Sequence, residues 1–98
     1  MTIASERSQS EIIAAARNVV FEIDSVLRNE SGYTHQRSRI AKIWNDGGLS
    51  LYRRATRCAT IKNDYVEALT FFAYSAKNGH HDLGFLRQIC NATVGGRA

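Results

Sequence analysis

The sequence contains no proline, and its 98 residues include only two cysteines, one tryptophan and one methionine. Without proline the commonest helix breaker is gone. Cys58 and Cys90 lie far apart and form no C-x-x-C pair. In a reducing compartment each reads as a small buried apolar residue, and the sequence alone leaves a disulfide between them open. No apolar run approaches the roughly 18 residues needed to cross a bilayer. The opening MTIASERSQSE lacks the basic and then apolar segments of a signal peptide. Together these absences predict a cytoplasmic protein. Alternation of β-branched and polar residues is also scarce, which argues against sheets.

What remains favours helices. Apolar residues make up 44% and charged residues 22%, ordinary values for a globular chain, and the length suits one domain spanning residues 1–98. Residues 1–7 and 92–98 are expected to be loose tails. Ser8 followed by Glu11 forms a capping box ahead of an apolar stripe. A first helix is predicted over residues 9–28, with Ile13, Ala16, Val20, Ile23 and Leu27 inward and Ile12, Ala15, Val19 and Val26 widening that face. Gly32 is free to take the left-handed conformation after it, and Thr34 can cap a second helix over residues 35–44, with Ile40, Ile43 and Trp44 inside. Asn45-Asp46-Gly47-Gly48 predicts a break. A third helix is expected over residues 49–60, with Leu51, Ala55, Cys58 and Ala59 inward. A fourth covers residues 65–78, capped by Asp64 with Glu67, and a fifth covers residues 83–91, capped by Asp82. The expected fold is all-α, a compact bundle of four to five short helices.

Charge is distributed unevenly. Residues 35–62 hold Arg37, Arg39, Lys42, Arg53, Arg54, Arg57 and Lys62 against one acid, Asp46, for a net +6. Residues 1–34 sum to −2 and residues 63–98 to zero, so the net +4 of the chain originates in its middle. A basic block between near-neutral flanks is the footprint of a polyanionic partner. Five of the seven cations are arginine, whose planar fork matches phosphate and carboxylate and stacks on bases. Tyr33, Trp44 and Tyr52 lie among these charges, and an exposed one would offer a stacking surface.

Two stretches resemble known families. IAKIWNDGGLSLYRRA, residues 40–55, resembles the helix-turn-helix pattern IAKLLGVSRSTVYRAL, with Ala41 and Tyr52 in register and departures at Asp46 and Arg54. That resemblance implies a DNA-reading hairpin. DYVEALTFFAYSAKNGHHDL, residues 64–83, resembles a single Sel1-like repeat, a relative of the tetratricopeptide helix pair. Asp64, Tyr65, Ala68, Phe71, Phe72, Ala76, Gly79, His80 and Asp82 match without a gap, although no second copy is present. This resemblance implies a helix-loop-helix over residues 64–91 and a protein-binding scaffold.

Signs of chemistry are sparse. His80 and His81 are adjacent, so on a helix they diverge by about 100° and form no metal pair. No nucleophile elbow, phosphate loop or paired-carboxylate site is present. The sequence therefore predicts a non-enzymatic binding protein with no cofactor and no metal. Its basic hairpin, residues 35–62, is expected to contact nucleic acid, a nucleic acid-handling complex or an acidic protein surface. The alternative is a protein-interaction adaptor or inhibitor, of the kind phages and mobile elements encode, binding through its helical surfaces.

Overall fold

Six side chains of the first helix, Ile12, Ala16, Val19, Val20, Ile23 and Val26, form a buried face against which the rest of the chain packs. The computed structural model describes residues 2–57 and 61–94, with side chains from residue 9 onward. Helix α1 runs Thr2–Asn29 and begins before the residue 9 start that the capping box predicts. Ser8 is inside the helix, so the box does not mark its start. The buried stripe is also rotated slightly, because Ile13 and Leu27 are only half-buried while Ile12 is fully enclosed.

The chain leaves α1 through Gly32, whose φ of +95° lies in the range glycine adopts without strain. Helix α2, Tyr33–Ile43, starts directly after it with Gly32 as N-cap, so Thr34 falls in the first turn. Gln36 is buried and donates its side-chain amide to the Glu30 carbonyl at 2.7 Å and the Leu27 carbonyl at 3.4 Å. It thereby satisfies carbonyls that the end of α1 leaves without helical partners.

The expected break at residues 45–48 does not occur. Trp44–Gly48 forms a π-helical turn in which the Leu49 N–H bonds to the Trp44 carbonyl. Helix α3, Leu49–Thr56, follows at once, with Gly48 at φ −61° and ψ −44°. Residues 33–56 are one continuous helical path, not a hairpin. Two glycines in a helix cost about 1 kcal/mol each. The path buries Ile40, Trp44, Leu51 and Ala55 in the core, and each large side chain contributes about 1.5–3 kcal/mol. Burial outweighs the local turn preference. Gly48 is needed for the close fit, since a Cβ there would lie 2.5 Å from Trp44 Cε3.

Residues 58–60, and with them the expected inward positions of Cys58 and Ala59, are outside the described residues. Helix α4, Asp64–Ala76, is capped by Asn63, whose Oδ1 accepts from the Tyr65 N–H at 2.8 Å and the Val66 N–H at 3.4 Å. Asp64, the expected cap, is the first helical residue instead. The helix ends in a Schellman arrangement: the His80 N–H bonds to the Ser75 carbonyl, and the Gly79 N–H to that of Ala76. Gly79 and His80 both have positive φ, +68° and +58°. Helix α5, Leu83–Thr93, is capped by Asp82 as the sequence predicts, with the Phe85 N–H 3.0 Å from Asp82 Oδ1.

The architecture is an all-α bundle without strands among the described residues. Helix α1 packs against α2, α3, α4 and α5, and α4 packs against α3 and α5. A radius of gyration of 13.4 Å matches the value of about 13 Å for a compact chain of this length. Among the described residues no helix is long and apolar enough to cross a membrane.

Candidate polyanion-binding site

The continuous helix turns the basic block so that its cations point to different sides. Arg39 and Lys42 line a cleft of about 450 Å³ against the C-terminal half of α1, together with Glu22, Glu30 and Asp46. Arg39 Nε donates to Glu30 Oε1 at 3.3 Å, and Lys42 Nζ to Asp46 Oδ2 at 3.1 Å. His35 Nε2 bonds the same Glu30 oxygen at 2.5 Å. The His35 hydrogen bond, aided by Arg39, holds the Glu30 carboxyl below its ordinary range. This cleft has three acids for two bases, so it offers little to an anion. Arg54 on α3 reaches across to α1, with its Nη2 3.6 Å from Glu11 Oε1.

The other side of the helix is different. Arg37, Ala41, Asn45, Leu49 and Arg53 recur every four residues and line a groove of about 830 Å³ between the α2–π–α3 helix and α4. The α4 wall carries Thr70, Ala73, Tyr74 and Lys77, with Gly79 and His80 at its end. Trp44, 2% exposed, and the half-buried Tyr52 also border the groove, and Tyr74 is 64% exposed. Arg37, Arg53 and Lys77 supply three positive charges, and no acid lines the groove. None of the three forms an ion pair with a described residue. Arg57 and Lys62 are exposed and also make no ion pair with described residues. Of the seven cations the sequence singles out, the structure places only Arg37 and Arg53 in this groove. The third, Lys77, comes from the near-neutral segment, where segment charge offers no hint of it. Its spacing from Thr70 and Tyr74 on α4 is the one available signal.

One end of the groove is built from interlocked polar groups. The Tyr33 hydroxyl donates to the His81 carbonyl at 3.0 Å and lies 3.1 Å from His81 Nδ1. The Arg37 guanidinium sits over the Tyr33 ring, 5.7 Å from its centre. Tyr33 therefore ties α2 to the α4–α5 loop and serves as a platform for Arg37. His80 is 4% exposed, and its Nδ1 and Arg37 Nε are buried without hydrogen-bond partners. Burial, and then the nearby Arg37 charge, push the His80 pKa below its ordinary 6.5, so its ring is neutral at pH 7.

Cys90 is an unpaired thiol, 1% exposed, and burial pushes its pKa up to about 12. Such a thiol is inert as a nucleophile at neutral pH. Among the described residues no three His, Cys, Asp or Glu side chains come together in a way that could hold a metal. Comparison with family models, curated proteins and solved structures gives no significant match.

Proposed function

We propose that this chain is a non-enzymatic binding protein that takes a polyanion, nucleic acid in the first instance, along the groove between the α2–π–α3 helix and α4. The observation that carries the proposal is the charge arrangement: Arg37, Arg53 and Lys77 face one groove without an acid among its lining residues. Arg57, one turn beyond Arg53, is exposed and adds charge past it, whereas Lys62 borders a separate cavity with Asp64 and Glu67. Arg39, Lys42 and Arg54 have acidic partners within the chain and are secondary in this reading. A cytoplasmic location belongs to the same proposal and is supported by the unpaired Cys90 thiol.

The test is a salt series. Each phosphate contact contributes a slope of about 0.7 to 0.9 log units of affinity per log of salt. Replacing Arg53 and Lys77 together by Gln is expected to lower the slope by about 1.4 to 1.8 and leave the melt unchanged, because both side chains are exposed. Replacing Arg39 and Lys42 by Gln is expected to change the slope little. Equal effects of the two pairs, or no wild-type binding near 50 mM salt, would remove the reading.

A second reading, a protein-binding adaptor or inhibitor, is favoured by one feature. Phe71, Tyr74 and Phe85 form an edge-to-face cluster across α4 and α5, with Phe71 and Tyr74 exposed. Aromatic residues of this kind anchor protein interfaces. Capture from lysate with and without nuclease separates the two: partners that survive nuclease favour the adaptor.

A further inference from the structure

We infer that the groove between the α2–π–α3 helix and α4 selects a short stretch of single-stranded nucleic acid over duplex. This rests on the nucleic-acid reading above and adds the form of the ligand. A duplex does not suit the helix that forms one wall of this groove. An α-helix reads duplex DNA by putting a convex, solvent-facing side into a major groove about 12 Å wide, while its other side stays in the protein core. Here the inner side, Ile40, Trp44, Leu51 and Ala55, is buried in the core. The side bearing Lys42 also bears Asp46, and their cleft includes Glu22 and Glu30. Carboxylates would meet the phosphates of any duplex brought to that face.

The cationic side is concave instead. Charge sits at both ends, with Arg37 and Arg53 separated by about 24 Å along the helical path. At the 3.4 Å per phosphate of a stacked strand this distance spans about seven nucleotides, and fewer if the strand is drawn out. Between the charged ends lie aromatic and apolar surfaces. Tyr74 stands open on one wall with its edge braced by Phe85, and Tyr52 lies on the other against Trp44. A positively charged groove interleaved with rings binds unpaired bases by stacking and their phosphates by charge, and paired bases expose no face to stack on. Asn45 and Thr70 are neutral hydrogen-bonding groups along the same walls. Nothing in this lining repels an anion, and the apolar floor gives the bases somewhere to leave water.

The experiment compares labelled eight-nucleotide oligo(dT) and oligo(U), a duplex of equal length, and inorganic polyphosphate as competitor, all by anisotropy with the full chain. The inference expects either single strand to bind at least about tenfold tighter than duplex, and the tighter of the two names the sugar. Tyr74→Ala is expected to weaken single-strand binding by about fivefold or more, with Tyr74→Phe restoring it, because the ring and not the hydroxyl stacks. Tyr74 is 64% exposed, so neither change threatens the fold. Trp44, the only tryptophan, borders the groove, and its emission should shift when a strand occupies it. Tighter duplex binding, polyphosphate competing as well per charge as the oligonucleotides, or an unaffected Tyr74→Ala variant would overturn the inference and leave general polyanion binding standing. Failure of every nucleic acid to bind at 50 mM salt would overturn both.

Discussion

An alanine at Gly47 and an alanine at Gly48 have opposite expected effects. Both glycines sit in right-handed helical backbone, where Ala is preferred to Gly by about 0.5–1 kcal/mol. A Cβ at Gly47 meets nothing within 4 Å, so Gly47→Ala should stabilise the fold by about that amount. A Cβ at Gly48 strikes the Trp44 ring, and its displacement should cost about 1–3 kcal/mol. Urea melts of the two variants check this, and a destabilising Gly47→Ala would show that the segment turns instead of continuing as helix. Capping supplies a second comparison. Asn63→Ala removes the acceptor of two N–H groups and should cost about 1 kcal/mol, whereas Asp64→Ala leaves that cap intact. Denaturation midpoints of both variants measure the difference; no loss at Asn63 would contradict the cap assignment. Asn and Asp are nearly equivalent caps, so adjacent residues of these types offer the sequence two registers one residue apart. The backbone geometry at Asn63 selects one of them.

At the scale of elements, α1 and α5 are the most legible from sequence. The apolar stripe of α1 and the Asp82 cap of α5 depend on residues within a few positions, and local rules capture them. The α2–π–α3 helix is the least legible. Asn-Asp-Gly-Gly is a turn signal when read alone, yet Trp44 on one side and Leu51 on the other both need the core, and a π turn lets both reach it. The α4–α5 connection was legible at Gly79, whereas the left-handed His80 beside it was not. His80 carries a pH prediction. Its folded-state pKa is lowered by burial and by Arg37, so below about pH 6.5 the unfolded chain takes up a proton that the folded chain resists. Stability should therefore fall as pH drops through 6.5, by at most about 1.4 kcal/mol per pH unit, until the folded pKa is passed. Melts from pH 7.5 to 5.5 should show a smaller loss in His80→Asn, because Asn tolerates positive φ and does not titrate. An equal loss in both proteins would exclude His80 as the source.

For the whole molecule the net +4 matters less than its division between two clefts. One holds Arg39 and Lys42 with three acids, the other Arg37, Arg53 and Lys77 with none. The comparison of Arg53/Lys77 with Arg39/Lys42 variants is thus a test of tertiary arrangement, since a basic block read linearly contains Arg39 and Lys42 but not Lys77 and predicts the larger loss for the former pair. Helix type, the Asp82 cap and most of the buried set were determined by the sequence itself, because propensity and apolar spacing act over one or two turns. Tertiary structure alone decided that residues 33–56 run on as one helix, that Arg54 pairs with Glu11, and that Lys77 joins two arginines more than twenty residues away. Those outcomes depend on how α1 and α4 pack against the middle of the chain. Packing brings together charges that no local spacing relates, and the burial it provides exceeds the preference of any four-residue turn.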